Sequence, residues 1–297
     1  MFQKLVAIEP VNLTAEGKAR LSEYAAEVVL YDDIPASDEV ISQRIGDADC
    51  VLVSYTSRIN GDVLKAAPNL KYVGMCCSLY SEKAANVDIA TARELGITVK
   101  GVRDYGDQGV VEYVISQLVS YLQGHNGKRY EDKPIELASI HAGIVGLGTT
   151  GTMIADALRF FGTPVSYYSR TRKPECEERG IAYLPLHELL AQSQVVFLCL
   201  NKNVILMGEE EFKALGNHKI LFNTSIAPGH EDEPLMKWLE EGTNEFFCDT
   251  RAAIAADPDR FEGNPHVNCV NQSSGSTKEA MGRLSDKVLA NMQEFLQ

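Results

Sequence analysis

The stretch Ile144-Val145-Gly146-Leu147-Gly148-Thr149-Thr150-Gly151 constrains this chain's fold more than any other. Apolar residues lead into it, and Ala155, Ala157, Leu158 and Phe161 follow at helical spacing. It therefore reads as a buried strand, a glycine turn, and a helix opening at Thr150-Gly151. Gly146 permits the tight turn, Gly148 lets a pyrophosphate approach the backbone, and Gly151 lets helix and strand pack closely. The first N–H groups of a helix have no partner inside it, so a phosphate settles on them at the positive end of the helix dipole. Pro164 to Tyr168 reads as the next strand, at the distance a βαβ unit needs. These residues predict a dinucleotide site in which Thr149 and Thr150 lie beside the glycines.

The end of that second strand selects the dinucleotide. A carboxylate about 20 residues past the fingerprint holds a ribose 2′-hydroxyl, but this chain has Ser169-Arg170-Thr171-Arg172-Lys173 there. No acid is present to repel a 2′-phosphate, and Arg170 and Arg172 offer the planar, two-pronged grip that suits one. The sequence predicts NADP, with NAD as the alternative and a solvated basic turn as the bland reading.

The rest of the chain sets the context. Its 297 residues, 45% of them hydrophobic, suffice for two domains with separate cores. A net charge of −13 argues against nucleic acid or an anionic membrane as partner. No run has the length of a membrane span, and Met1-Phe2-Gln3-Lys4 leads straight into a strand, which predicts a cytoplasmic protein. Cys50, Cys76, Cys77, Cys176, Cys199, Cys248 and Cys269 show neither a CxxC pair nor metal-ligand spacing. They read as reduced residues, mostly in the core, and no metal site is expected. In the adjacent pair Cys76-Cys77, strand geometry sends the two side chains to opposite faces.

Strands alternate with helices from end to end, which predicts a parallel α/β architecture. Strand candidates are 5–8, 28–31, 50–54, 72–75 and 97–99, then 195–199, 220–223, 245–248 and 267–270. Val111, Val114, Ile115, Leu118, Val119 and Leu122 mark a long amphipathic helix ending at Gly124. A last helix starts at Ser276, where Ser276-Thr277-Lys278-Glu279 has capping-box spacing.

The chain resembles the D-isomer-specific 2-hydroxyacid dehydrogenases along essentially its whole length. The resemblance rests on Leu70-Lys71-Tyr72-Val73-Gly74, Asn86-Val87-Asp88-Ile89, Gly96-Ile97-Thr98-Val99 and the segment Tyr105 to Tyr113. It continues through Phe222-Asn223-Thr224-Ser225, Asp249 and Gly275-Ser276-Thr277-Lys278-Glu279-Ala280. The Ser169–Arg172 segment resembles that of NADP-preferring glyoxylate/hydroxypyruvate reductases. The family implies two doubly wound parallel-sheet domains, Rossmann-like and flavodoxin-like, with a cleft between them. By that resemblance the substrate domain is 1–101 plus 277–297 and the dinucleotide-binding domain is 102–276. A homodimer built partly through the long helix is implied too. Asp249 matches the residue that holds the nicotinamide carboxamide. Thr224 and Ser225 line the same floor, and Leu200-Asn201 ends the strand beneath the adenosine ribose and diphosphate. The family's proline-rich continuation is replaced by Lys202-Asn203-Val204.

The family's catalytic groups are missing. It uses an arginine to clamp the substrate carboxylate, a histidine to donate the proton and a glutamate to orient the histidine. Alignment on the matched motifs puts Ile226, Gln272 and Ala252 at those places. Isoleucine cannot pair with a carboxylate, and a glutamine amide donates a hydrogen bond without titrating. Losing general acid catalysis typically costs about 10²–10⁴-fold. Candidate replacements are Arg251 as an anion anchor, Gln272 as a neutral carbonyl-polarising donor, and Ser78 and Tyr80 in a substrate-type loop, Cys76 to Ala85, with the Tyr80 phenol or water as proton source. His230 lies near the vacated arginine position, with a solvated turn histidine as its bland reading. Two functional classes follow: an NADP(H)-dependent oxidoreductase with non-standard catalytic residues acting on a small carbonyl or hydroxy compound, or a silent NADP(H)-binding sensor.

Overall fold

The computed structural model describes residues 1–202 and 204–297; Asn203, named above, lies outside them. The chain divides into one unit of residues 1–106 and 276–297 and another of residues 107–275. The seams at 106/107 and 275/276 compare with 101/102 and 276/277 drawn from sequence.

The first unit alternates β1 (Phe2–Ala7), α1 (Ala15–Arg20), β2 (Ala25–Leu30), α2 (Asp38–Ile45), β3 (Cys50–Val53), α3 (Gly61–Lys65), β4 (Tyr72–Ser78), α4 (Ile89–Glu94) and β5 (Thr98–Val102). Its strands form one parallel sheet in the order β2-β1-β3-β4-β5. A parallel sheet covered on both faces needs strands that are apolar on both sides, and β3 is buried at every position. Cys76 and Cys77 pack into separate clusters, one with Phe2, Leu5 and Tyr72, the other with Val6, Val51 and Val73. The final helix of the chain closes the first of these, carrying Leu284, Val288, Leu289 and Met292 onto Leu5 and Tyr72. Phe295 stacks on Phe2 at 5.5 Å, and the Thr14 N–H donates to Ser285 Oγ at 2.9 Å across 271 residues of sequence.

The second unit contains α5 (Asp107–Gln123), β6 (Ala142–Val145), α6 (Thr149–Phe160), β7 (Val165–Tyr168), α7 (Pro174–Glu177), β8 (Ala182–Tyr183), α8 (Leu186–Gln192) and β9 (Val195–Leu198). It continues with α9 (Glu209–Leu215), β10 (Ile220–Asn223), α10 (Asp232–Glu240), β11 (Glu245–Cys248) and β12 (Val267–Cys269), before α11 (Lys278–Leu296) returns to the first unit. The seven strands are parallel, ordered β12-β11-β10-β9-β6-β7-β8. The doubly wound α/β architecture expected from sequence is therefore present. Val111, Val114, Leu118 and Leu122 of α5 bury against Ile154 and Leu158 of α6, as their spacing requires.

Two local expectations are corrected, and one further strand appears. The last helix is capped by Thr277 rather than starting at Ser276, because the Thr277 hydroxyl accepts the Ala280 N–H at 3.1 Å. β4 runs on to Ser78, so Cys76, Cys77 and Ser78 are strand rather than loop. β8 is only two residues long, too short to leave a periodic signal.

Candidate nucleotide and catalytic edge

In the second unit the chain leaves β6 outward through β7 and β8, then returns to the other side of β6 with β9 and continues to β12. Ligands of open α/β sheets bind outside the carboxyl ends of the strands at such a switch point. The last strand residues there, Tyr168, Val145, Leu198, Asn223, Cys248 and Cys269, lie in register across the sheet. The next residue on each strand, Ser169, Gly146, Cys199, Thr224, Asp249 and Val270, begins the exposed rim. All predicted cofactor residues, with Arg251 and Gln272, fall on this rim; Ser78 and Tyr80 lie in the first unit.

The glycine turn has three different reasons for its three glycines. Gly146 has φ +97°, and a Cβ there would stand 2.4 Å from the Cys199 carbonyl oxygen. A Cβ on Gly151 would stand 2.2 Å from the Gly146 oxygen and 3.1 Å from Ile144 Cγ2. The first closes the turn on the end of β9, and the second closes α6 on the turn and β6. Gly148 has ordinary backbone (φ −81°), and a Cβ there would meet nothing within 4 Å. The fold leaves that space open. Gly148 caps α6 without a side chain, and Thr152 N–H makes the first helical bond, to the Gly148 oxygen at 2.9 Å. The N–H groups of Thr149, Thr150 and Gly151 therefore have no partner within the helix. The Thr150 hydroxyl donates to Asp107 at the start of α5, so Thr150 offers the rim its backbone rather than its side chain.

The basic turn after β7 is less open than its sequence suggests. The Ser169 hydroxyl donates to the Thr171 carbonyl and closes the turn. Arg172 pairs with Glu177, its Nε 3.1 Å from Oε1, and its guanidinium lies 4.9 Å from the Tyr183 ring centroid. The Arg172 hydrogen bond holds Glu177 below the usual carboxylate range. Tyr167 Oη fixes the same acid, donating to Oε1 at 2.9 Å while accepting the Lys173 N–H at 2.6 Å. The sequence reading missed Glu177 because it lies eight positions past Ser169 and is brought back by α7. Of the two predicted phosphate arginines, Arg172 is thus occupied. Arg170 is exposed, and among the described residues it has no ion-pair partner.

On the other side of the switch point the predicted floor residues tie strand ends together. Ser225 Oγ accepts the Leu200 N–H at 2.9 Å, and Thr224 Oγ1 donates to the Leu198 carbonyl at 2.9 Å. Thr224 also contacts Cys199 Sγ at 3.3 Å, while burial pushes that thiol up to about 12. Asn201 is exposed just beyond. Asp249 is held from the loop after β12: its Oδ2 accepts the Ser274 N–H at 2.9 Å and the Ser274 hydroxyl at 2.8 Å. Its carbonyl accepts the Gln272 N–H at 2.7 Å. Asp249 and Gln272 are therefore neighbours, with Asp249 Oδ1 left on the rim.

Ile226 is 59% exposed and Gln272 is exposed in the loop after β12. Ala252 sits on an exposed turn, and no acid occurs from Thr250 through Ala256, so a shift of alignment does not restore the glutamate. Arg251, the predicted anion anchor, forms an ion pair with Asp259 instead. His230 is 1% exposed, not a solvated turn residue; Phe212 and Phe246 flank it, and burial lowers its pKa to about 4. It is a neutral core histidine at pH 7.

In the first unit, Ser78 donates to Tyr105, whose phenol burial nonetheless pushes up to about 12. Arg103, not singled out from sequence, donates from Nε to the Leu79 carbonyl at 2.7 Å and from Nη2 to the Tyr80 carbonyl at 3.0 Å. Its guanidinium lies 5.5 Å from the Tyr80 ring centroid. Arg103 thus fixes the loop that carries Tyr80. Among the described residues no group of three or more His, Cys, Asp or Glu could hold a metal ion, and no helix is long and apolar enough to cross a membrane.

Comparison with known proteins agrees with this geometry. Residues 114–265 match the profile of the D-isomer specific 2-hydroxyacid dehydrogenase NAD binding domain. A hydroxypyruvate reductase of Blautia hydrogenotrophica is 28% identical over 92% of this chain and 90% of its own length. A glyoxylate reductase of Korarchaeum cryptofilum is 28% identical over 96% and 90% respectively. A crystal structure of a putative D-isomer specific 2-hydroxyacid dehydrogenase from Polaromonas sp. JS6 66 superposes with a TM-score of 0.85 at 21% identity, covering 100% of this chain and 97% of the other.

Proposed function

The chain belongs to the D-isomer specific 2-hydroxyacid dehydrogenase family, and on that premise we propose that it is an NADP(H)-dependent oxidoreductase for a small carbonyl or hydroxy compound other than a simple 2-keto acid. The observation that carries the cofactor half is the open space at Gly148 between two glycines that have none. A pyrophosphate fits there against the N–H groups of Thr149, Thr150 and Gly151. Arg170 supplies the charge that favours a 2′-phosphate, with no acid from Tyr168 to Lys173 to oppose it. Asp249 Oδ1 would accept a hydrogen bond from the carboxamide, with Ser274 steadying the other oxygen. A nicotinamide held this way supplies or accepts the hydride.

The substrate half rests on what the edge offers. Ile226 and Gln272 present an apolar surface and a neutral amide where the family presents an arginine and a histidine. Arg251 gives its charge to Asp259, so it does not replace the clamp. Gln272 would donate an N–H to a carbonyl oxygen, polarising it without transferring a proton, and solvent would protonate the product. Such a site favours a neutral carbonyl over a carboxylate-bearing one. Ser78 and Tyr80 remain candidate substrate contacts, for which Ser78→Ala and Tyr80→Phe are the tests. A homodimer, as the family resemblance implies, is part of the same proposal, checked by light scattering.

The direct test measures NADPH oxidation with aldehydes, neutral ketones and 2-keto acids, and NADPH binding by fluorescence. Turnover with a neutral carbonyl and little with 2-keto acids is the expected result. Tight NADPH binding with no turnover on any substrate would replace this reading with the silent sensor.

A further inference from the structure

Two of the seven cysteines meet on the rim. Cys248 ends β11 and Cys269 ends β12, and the two are register partners in a parallel pair, so their side chains leave the same face of the sheet. Neighbouring strands lie about 4.8 Å apart, inside the roughly 4.4–6.8 Å range of Cα separations that a disulfide accepts. The two side chains pack in one cluster. They differ in surroundings: Cys248 is fully buried, with its sulfur 3.5 Å from the Thr250 carbonyl oxygen, whereas Cys269 is partly exposed. The neighbouring Cys248 side chain is the main influence lowering the Cys269 pKa to about 7, with help from the Asn271 backbone and Arg251 and opposition from burial and Asp249. The Cys269 side chain beside it, and then burial, push the Cys248 thiol up. One thiol is thus an accessible nucleophile and the other a protonated partner behind it, the arrangement of an attacking and a resolving cysteine.

We propose that Cys248 and Cys269 form a peroxide-sensitive dithiol whose oxidation closes a disulfide at the carboxyl edge of the sheet. The Cys269 thiolate attacks a peroxide oxygen; an S–O bond forms, the O–O bond breaks, and hydroxide leaves. The Cys248 sulfur then attacks the resulting sulfenic acid at Cys269. The S–S bond forms, the S–O bond breaks, and the departing hydroxide takes the Cys248 proton as water. Two thiols lose two electrons and two protons, and one hydrogen peroxide becomes two waters. A small dithiol reductant reverses the change.

The site is coupled to the rim through the backbone. Asp249 directly follows Cys248, and the loop after Cys269 holds Asp249 through Gln272 and Ser274. Closing the S–S bond to about 2.05 Å reorients both cysteine side chains and shifts Asp249, the residue that follows Cys248. This coupling, unlike the disulfide itself, rests on the proposed role of Asp249 toward the nicotinamide. NADPH affinity is expected to fall about tenfold, the worth of one charge-assisted hydrogen bond.

The test treats the full chain with equimolar hydrogen peroxide, blocks remaining thiols by alkylation, and maps the peptides by mass. A Cys248–Cys269 cross-link that dithiothreitol removes is expected in the wild type. Cys248→Ser should stop at an oxidised Cys269 without a cross-link, and Cys269→Ser should leave Cys248 unreacted. Absence of the cross-link in the wild type, with Cys269 alkylated no faster than the buried cysteines, overturns the proposal. NADPH titration of reduced and cross-linked protein then separates the two claims. A cross-link that leaves affinity unchanged overturns the coupling alone. A cross-link in a protein that binds no NADPH even when reduced supports the dithiol and overturns the nucleotide reading.

Discussion

The glycine turn and the catalytic edge share one sheet rim, yet they answer differently to substitution. At Gly146 and Gly151 the constraint is backbone against backbone, with no room for a methyl group. At Ile226 and Gln272 the side chains point from exposed loops, and the fold asks little of them. The dinucleotide turn is therefore written into packing that cannot drift without unfolding the unit, whereas on the proposed reading proton donation and carboxylate binding fall to surface groups that can be replaced at little cost in stability. On the proposed reading, this chain has lost the family's catalytic side chains and kept an intact dinucleotide turn.

The largest expected effect breaks the turn. Gly146→Ala forces a side chain into positive φ and onto the Cys199 carbonyl, and Gly151→Ala closes on the Gly146 oxygen, each costing about 2–5 kcal/mol. Thermal melts should show both unfolding early. Gly148→Ala should melt within about 1 kcal/mol of wild type and yet lose NADPH affinity, because the methyl group fills space the protein itself does not use. Equal melting for all three would remove the distinction between packing glycines and a binding glycine.

The converse change sharpens the catalytic side. Ile226→Arg with Gln272→His should raise kcat/KM for 2-keto acids by about 10²–10⁴, the usual worth of a general acid, while Tm moves little because both sites are exposed. A double variant that stays inactive with keto acids while binding NADPH as wild type does would mean that more than these groups has been lost.

His230 lies only four residues past Ile226 but belongs with the glycines in its intolerance. Its pKa of about 4 in the fold lies below the ordinary 6.5, so the unfolded chain binds the extra proton first. Its contribution is fully present above about pH 6.5 and is lost as pH falls toward 4; a difference of 6.5 − 4 corresponds to about 3 kcal/mol. Denaturant titrations of His230→Leu against wild type over that range should show a shallower acid loss in the variant, and parallel curves would contradict the assignment.

The smallest effect divides the two arginines. Arg170→Ala should weaken NADPH about tenfold while leaving NADH nearly unchanged. Arg172→Ala should discriminate less between the two, because Glu177 already holds Arg172.

Much of this contrast is legible in the sequence. The glycine spacing, the flanking strand and helix periods and the matched motifs give the α/β fold, since local steric rules determine them. The proposed loss of the family's catalytic groups rests on the sequence alone, where Thr277 anchors the position of Gln272. What sequence does not carry is pairing between distant residues. Glu177 occupies Arg172, Asp259 occupies Arg251, and Ser274 holds Asp249, all through turns whose geometry no periodic pattern announces. His230 reads as a polar turn residue and lies instead between two phenylalanines, because its neighbours in space come from α9 and β11.

The pH dependence of NADPH oxidation by the wild type, measured on its best neutral carbonyl from about pH 5.5 to about pH 8, tests the central claim most directly. A neutral amide as the carbonyl donor predicts a flat kcat/KM across that range, with a falling limb near 6.5 appearing only when Gln272→His is introduced. A falling limb near 6.5 in the wild type itself would mean that a titrating acid elsewhere has taken over the proton, and would contradict the account of Gln272.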